Sequence, residues 1–503
     1  MVESKPEMAG DAAVLAPQPD AAPAPVDVRV ETITCDHAVL STAAPGGALA
    51  KDILVLMVGG RRFANFAPAA LAATGRKMPD GRTYFRIRMP CDIPDAHGRP
   101  EVEFRLRSTG ELLPNGGRKP LPQQRKARAL VLIPAGSRYE HDKIRLHNWP
   151  ISRVIETYSN IGDLMVYDST LKMLDFETVE VGNITTFTDK EVDYYNSEFD
   201  FAFLRGSNFI HEYMNWERAG ELIERLKIPV FAIGVGAQAE RRRMIDLPEA
   251  GLRVWKAIAD HCGSIGVRGD YSAEVLAHNG IKNVQVVGCP SVFRMCKPKL
   301  ELKLKPAFDV HKVAFSLRRE TSGNYARDVD SYLRIQRDFM LKVDEESQMT
   351  VTLHGESEEK AFFFRDAARR EMATVKLRSS GWITPENEAQ MLRIYRNQLF
   401  FNTSVEQYDE FIRTQDFAIG WRVHGVLPAL ANGVPGMLVN YDERSAELAE
   451  TFRIPLIEES QLAGASWRDF YRPEAFAPFL KVYPQRYAAM QTYLQHNGVP
   501  NRL

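Results

Sequence analysis

Cysteine is scarce and unpatterned. Five occur in 503 residues, Cys35, Cys91, Cys262, Cys289 and Cys296. No Cys-x-x-Cys pair and no Cys/His cluster at zinc spacing is present, so a disulfide scaffold or zinc module is excluded and free thiols in a reducing compartment are expected. Excess charge of either sign is also missing: 64 Lys+Arg face 65 Asp+Glu, a formal net charge of -1. A protein that coats nucleic acid needs a basic field or stripe, so that class is set aside, although a local basic site is allowed. Long apolar runs are absent. The longest, such as Ile53–Val58 and Pro229–Gly236, fall far short of the roughly 20 residues a spanning helix requires. The start of the chain lacks a cationic stretch followed by an apolar one, so a secretory signal is not expected and a cytoplasmic location is. No repeat of fixed period is visible.

The length suggests about three domains. Residues 1–26, rich in Ala, Pro and Asp, read as a disordered tail. Over 27–113, short alternating segments such as VRVETITCDHAVLST and PEVEFRLRST are separated by Gly/Pro/Asp clusters, which predicts a small antiparallel β domain of sandwich type. Residues 114–128, with five Lys/Arg, read as a solvated linker. Beyond it the texture becomes α/β. Apolar strand candidates (129–134, 199–206, 228–236, 264–269, 284–288, 312–318, 349–355, 416–421, 435–440) alternate with amphipathic stretches such as 215–227 and 250–262. That alternation predicts two doubly wound lobes of parallel sheet, 129–300 and 301–460, with 297–309 crossing between them and a helical tail over 461–503. A ligand cleft is expected at the carboxyl ends of both sheets.

Polar groups at those strand ends carry the chemistry. Asn160-Ile161-Gly162-Asp163 opens a helix, where Gly162 lets backbone amides approach an anion or sugar and Asp163 can cap the helix or bind a hydroxyl. Arg205-Gly206-Ser207-Asn208 follows a strand directly, as an anion cradle or an ordinary turn. Gly234-Val235-Gly236-Ala237-Gln238 lacks the third glycine and the acidic partner of a dinucleotide fingerprint, so a nicotinamide cofactor is rejected. Arg268 ends another strand, with Asp270 placed to cap the next helix or orient the arginine; a planar guanidinium there suits phosphate or carboxylate. In DFAIGWRVHGVLPALANG, Arg422 and His424 stand at a helix N-terminus, where cation, imidazole and orphan amides coincide.

These segments together, NIGD, IGVGAQ, GVRGDYSAEVLAHNGIKNVQVVGCPSV and IGWRVHGVLPALANGVPGMLVNYD, resemble the polysaccharide pyruvyl transferase family over about residues 150–460. The resemblance implies a GT-B-like pair of lobes and transfer of an enolpyruvyl unit from phosphoenolpyruvate onto two hydroxyls of a saccharide acceptor, giving a pyruvate ketal. It also implies that Arg268 is the family's strand-end arginine and that Arg422 and His424 are its Arg-x-His pair, which contacts phosphoenolpyruvate. Two departures stand out: Arg205-Gly206-Ser207 replaces a Gly-Gly run, and Cys289-Pro290 replaces Asp-Pro.

The residue chemistry agrees. A donor with a phosphate and a carboxylate calls for two guanidiniums, Arg268 and Arg422. His424 beside that anion is expected to have a raised pKa and to act as general acid or phosphate partner. Asp163 is the candidate base, while Asn160, Gly162, Gly206, Ser207 and Gln238 are expected to bind substrate. No metal site and no cofactor are expected, and a homo-oligomer is left open. Two other classes compete: a GT-B nucleotide-sugar glycosyltransferase, although no Glu-x7-Glu helix pattern supports it, and a non-catalytic carbohydrate-binding protein.

Overall fold

In the computed structural model the described residues are 28–33, 37–43, 52–58, 61–66, 76–89, 101–114 and 119–120, followed by 127–503 without 134–137, 141–142, 146–149, 157–159 and 320–327. The tail, most of the basic linker, Cys35 and Cys91 lie outside them. The chain divides into two compact units, Met1–Lys126 and Ala127–Leu503.

The first unit is all antiparallel. One four-stranded sheet runs Val28–Ile33, His37–Thr42, Thr83–Arg88, Arg76–Lys77; the other runs Arg61–Phe66, Leu54–Val58, Glu101–Leu106, Lys119–Pro120. Alternation along the strands turns Val28, Val30, Leu40, Leu54, Leu56, Phe85 and Phe104 into one shared core.

The second unit holds the two doubly wound parallel-sheet lobes expected. In the first lobe the strand order is Thr178–Val181, Arg128–Ile133, Phe201–Leu204, Val230–Ala232, all parallel. A bridge from Val235 to Val267 continues it into the parallel pair Ile265–Val267 and Val284–Val286. Both faces are covered: Ala129 and Val131 enter one core cluster, Leu130 and Leu132 the other. That is why the strand reads as an unbroken apolar run. In the second lobe six parallel strands run Leu399–Phe400, Gln348–Thr352, Lys312–Ser316, Phe417–Gly420, Gly436–Asn440, Leu456–Glu458.

In both sheets the first strand of the lobe lies inside the order, so the winding reverses beside it. Such a reversal opens a crevice at the carboxyl ends of the two strands flanking it. The crevices fall at Ile133 and Leu204–Arg205 in one lobe and at Ser316 and Gly420–Arg422 in the other. Gly420 has φ 146, and a Cβ there would sit 2.4 Å from Ser316 O. Only glycine lets the two strands meet this closely at the crevice.

Helix Ile161–Met173 joins the lobes and is buried on almost every side. Its Asp168 and Ser169 meet Arg294, from the segment leaving the first lobe, and Asp409 of the second. Arg294 gives Nε and Nη2 to Asp409 at 2.9 and 2.6 Å, Nη1 to Ser169 at 2.8 Å and Nη2 to Asp168 at 3.0 Å. Asn432, just past helix Val423–Ala431, donates to the same Asp409 at 2.7 Å. Helix Ala477–His496 then returns to the first lobe, where Tyr493 donates to Ala232 O at 2.6 Å. Among the described residues no helix is long and apolar enough to cross a membrane.

Removing one member of a buried, hydrogen-bonded ion cluster strands the others. Arg294→Ala should therefore lower the unfolding free energy by about 3–5 kcal/mol in urea denaturation; a loss under about 1 kcal/mol would mean the cluster is not coupled to the fold.

Candidate active site between the lobes

Residues that follow the strands of both lobes converge around His424. Asn160 caps helix Ile161–Met173, its Oδ1 accepting from Gly162 N at 3.1 Å. The helix is seated on the opposite lobe, with Ile161 N donating to His354 O at 3.3 Å. A Cβ on Gly162 would lie 2.7 Å from His424 Nδ1, so the absent side chain is what admits the imidazole. The other ring nitrogen, Nε2, stands 3.6 Å from Cys289 Sγ. His424 is thus enclosed by both lobes.

The charges that act most strongly on it are of one sign. Burial first, and then Arg268, Arg444, His354 and Arg205, push the imidazole well below the ordinary histidine range. This reverses the expected raised pKa, which rested on an anion beside the ring; with cations as the neighbours, the ring is neutral. Arg268 is 1% exposed and gives Nη1 to Asn208 Oδ1. It lies against Gly236, where a Cβ would come within 2.9 Å of Nη1. Arg205 is also buried, bonding Gly206 O at 3.1 Å and Asp163 at 3.4 Å. Neither Arg205 Nε nor Arg268 Nε has an acceptor, and Gln238 Nε2 is likewise unsatisfied while its Oε1 accepts from Asn208. Buried donors left in this state are costly unless something else fills them. Gly206 packs against Gly234 O, and Ser207 O accepts from Gly236 N at 2.9 Å, so these two build the strand end rather than aim a side chain.

Arg422 differs from the expectation of a guanidinium waiting for an anion. It donates to Glu356 Oε1 at 2.5 Å and to Leu317 O at 3.2 Å. Burial alone would raise Glu356, but the Arg422 charge and hydrogen bond outweigh it and hold the carboxyl at about 2. Glu356 also accepts from His354 N and Gly355 N. The pair therefore ties the start of the His424 helix to the end of the neighbouring strand.

Several members of the site escaped the sequence reading. Arg318 and Arg444 both donate to Tyr441 Oη from the second lobe. Asp442 is buried. Its Oδ1 accepts from Ser445 N and its Oδ2 has no hydrogen bond, with Arg444 3.5 Å away. Burial, only partly offset by Arg318, raises it to about 6. Glu447 reaches across the lobes to accept from Ser272 N at 2.7 Å and Ser272 Oγ at 3.0 Å, and burial pushes it to about 7. It thereby caps helix Asp270–His278 from the other lobe, one of the two roles expected of Asp270. Asp442 lies in the quoted NYD segment, so a carboxylate at a strand's carboxyl end was the available signal. Glu447 sits mid-helix and gave none. Among the described residues no group of three or more His, Cys, Asp or Glu could hold a metal ion.

A family model described as polysaccharide pyruvyl transferase matches residues 160–443. No curated protein matches the chain. Among solved structures it is similar to a putative UDP-N-acetylglucosamine 2-epimerase from Listeria monocytogenes (10% identity, 74% of this chain and 92% of that one, TM-score 0.33). It is also similar to the Methanocaldococcus jannaschii UDP-GlcNAc 2-epimerase (13%, 73% and 99%, TM-score 0.36). A third is a sucrose-phosphate synthase from Thermosynechococcus elongatus (11%, 63% and 81%, TM-score 0.33).

Two outcomes follow from this geometry. Arg422→Ala strands the fully buried Glu356 and should cost about 3–5 kcal/mol of stability, whether or not an anion is bound; an unchanged urea midpoint would contradict the pairing. Glu447 is raised when folded, so the stability it lends is complete below the ordinary carboxylate range and is lost as pH climbs through about 7. Between about pH 5 and about pH 8, Glu447→Gln should gain on the wild type by on the order of 1–3 kcal/mol. A stability difference independent of pH would refute the raised carboxyl.

Proposed function

Because the chain belongs to the polysaccharide pyruvyl transferase family, whose model spans more than half of it, we propose that this transferase uses phosphoenolpyruvate as donor and a saccharide as acceptor. The observation that carries the reading is the set of buried cations around His424, two of which, Arg205 and Arg268, retain an unfilled Nε–H. A phosphate and a carboxylate on one small molecule need several guanidiniums at short range, and a dry site makes each contact stronger than in water. Arg205 and Arg268 offer them from one lobe, Arg318 and Arg444 from the other. Arg422 acts behind these, holding the loop and helix that present His424.

Donor binding brings an anion among these cations. Its negative charge opposes the surrounding cations and draws a proton onto His424. That proton passes to the methylene carbon of the enol, leaving an oxocarbenium-like centre at C2. An acceptor hydroxyl adds at C2 and gives its proton to a carboxylate, Asp163 beside Arg205 or Asp442 beside Arg444. The C2–O bond to phosphate then breaks, and a second hydroxyl closes the ketal. Of the two hydroxyl protons, one is balanced by the new methyl hydrogen and the other leaves with phosphate.

The test is phosphate release and acceptor mass gain when phosphoenolpyruvate is incubated with a saccharide panel. Arg268→Ala should lose about 2–5 kcal/mol in kcat/KM, and His424→Ala should lose the acidic control of the pH profile. Wild-type turnover by Arg268→Ala would sink the donor assignment.

A further inference from the structure

The donor pocket leaves open where the acceptor lies. Directly beyond Arg205, residues Phe209 to Trp216 carry three aromatic side chains, Phe209, Tyr213 and Trp216. Their backbone is anchored: Ile210 N donates to Gly236 O at 3.2 Å and Gln238 N to Ile210 O at 3.0 Å. This short ladder continues the parallel sheet past its carboxyl edge and carries Phe209 beside the crevice, while Phe209 and Trp216 rest half-buried on the first-lobe core. Phe209 and Trp216 pack with ring centres 4.8 Å apart and planes tilted by 59°. The Arg205 guanidinium lies 5.5 Å from the centre of the Phe209 ring. Phe209 therefore touches the cationic pocket at its edge.

Tyr213 is 74% exposed, among the most exposed large apolar side chains described. Beside it Glu212 pairs with Arg243 at 2.8 Å, a local charge balance that recruits neither an anion nor a cation. At the inner end the Gln238 amide nitrogen is buried without an acceptor. Aromatic faces flanked by planar polar side chains suit a ring that is apolar on its C–H face and hydroxylated at its rim. A pyranose has that shape.

We propose that Phe209, Tyr213 and Trp216 form the shelf on which the acceptor saccharide lies, with Arg205 at the boundary between acceptor and donor. This rests on the donor reading above. A sugar on the shelf points its inner hydroxyls past Phe209 toward Asp163 and Arg205. Specificity for the acceptor then resides in one loop of the first lobe, apart from the donor contacts.

Saturation-transfer NMR on the full chain with cello-, manno- and galacto-oligosaccharides tests the shelf without needing turnover. At least one oligosaccharide should receive saturation on its C–H protons from the wild type. The signal should weaken several-fold in Tyr213→Ala, whose side chain is exposed and not needed for folding, and in Phe209→Leu. The thermal shift given by phosphoenolpyruvate should be unchanged in Tyr213→Ala. No saccharide signal from the wild type, equal signal from Tyr213→Ala, or loss of the phosphoenolpyruvate shift in that variant would each overturn the shelf. Failure of the wild type to respond to phosphoenolpyruvate, with the saccharide signals as expected, would instead overturn the donor reading.

Discussion

One arginine without access to water fixes how the halves of the catalytic unit meet. Arg294 uses its guanidinium on a helix of the first lobe, through Asp168 and Ser169, and on a helix of the second, through Asp409. The two carboxylates respond differently. Burial leaves Asp168 raised, while the bidentate contact and Asn432 overcome burial and lower Asp409. The cluster places helix Ile161–Met173 end-on against His424, because Asn432 ties the far end of the His424 helix to the same carboxylate. A buried ion cluster is weak evidence for added stability, since apolar residues could fill the same space. What it supplies here is direction: guanidinium forks accept few geometries, and this one admits a single relative placement of two helices.

The same distinction between satisfied and unsatisfied cations separates the roles of the arginines in the cleft. Arg422 meets a carboxylate that it keeps ionised, so its charge is already answered within the second lobe. Arg205 and Arg268 are held by neutral oxygens and a partly exposed aspartate, and their charge falls instead on His424. Folding tolerates that concentration of like charge because the cores beneath both sheets are extensive. A field assembled in advance needs no reorganisation when a charged ligand arrives, which is the usual origin of electrostatic catalysis.

Much of this was legible in the chain. Apolar strands covered on both faces announce parallel sheets, and glycine beside a strand's carboxyl end marks the crevice; Arg205, Arg268, Arg422 and His424 all stand where that logic put them. Partners across space were not legible. Nothing in the spacing of Glu356 or Glu447 connects them with Arg422 or Ser272, each more than sixty residues away. The pKa of His424 failed for the same reason. Sequence supplies the titrating group and its helix terminus, but the sign of its neighbours is set by residues far along the chain, Arg205 and Arg268 of the other lobe and His354 and Arg444 of its own. Asp442 shows the limit most clearly: its position was visible, whereas its burial is a property of the assembled cleft.

Helix Ala477–His496 packs on both lobes: Arg486 donates to Thr451 O of the second at 3.0 Å, and its last turns close the first. Tyr493 bonds Ala232 and meets Phe231 edge-on, Asp175 N donates to Pro500 O, and Arg502 N donates to Met173 O. During synthesis the ribosome therefore releases the whole of the second lobe before the first can be sealed. Until then the Phe231 and Ala232 strand lacks the cover of Tyr493, and apolar surface left open in this way is prone to aggregate. The order of translation and the order of completion run opposite ways in this enzyme.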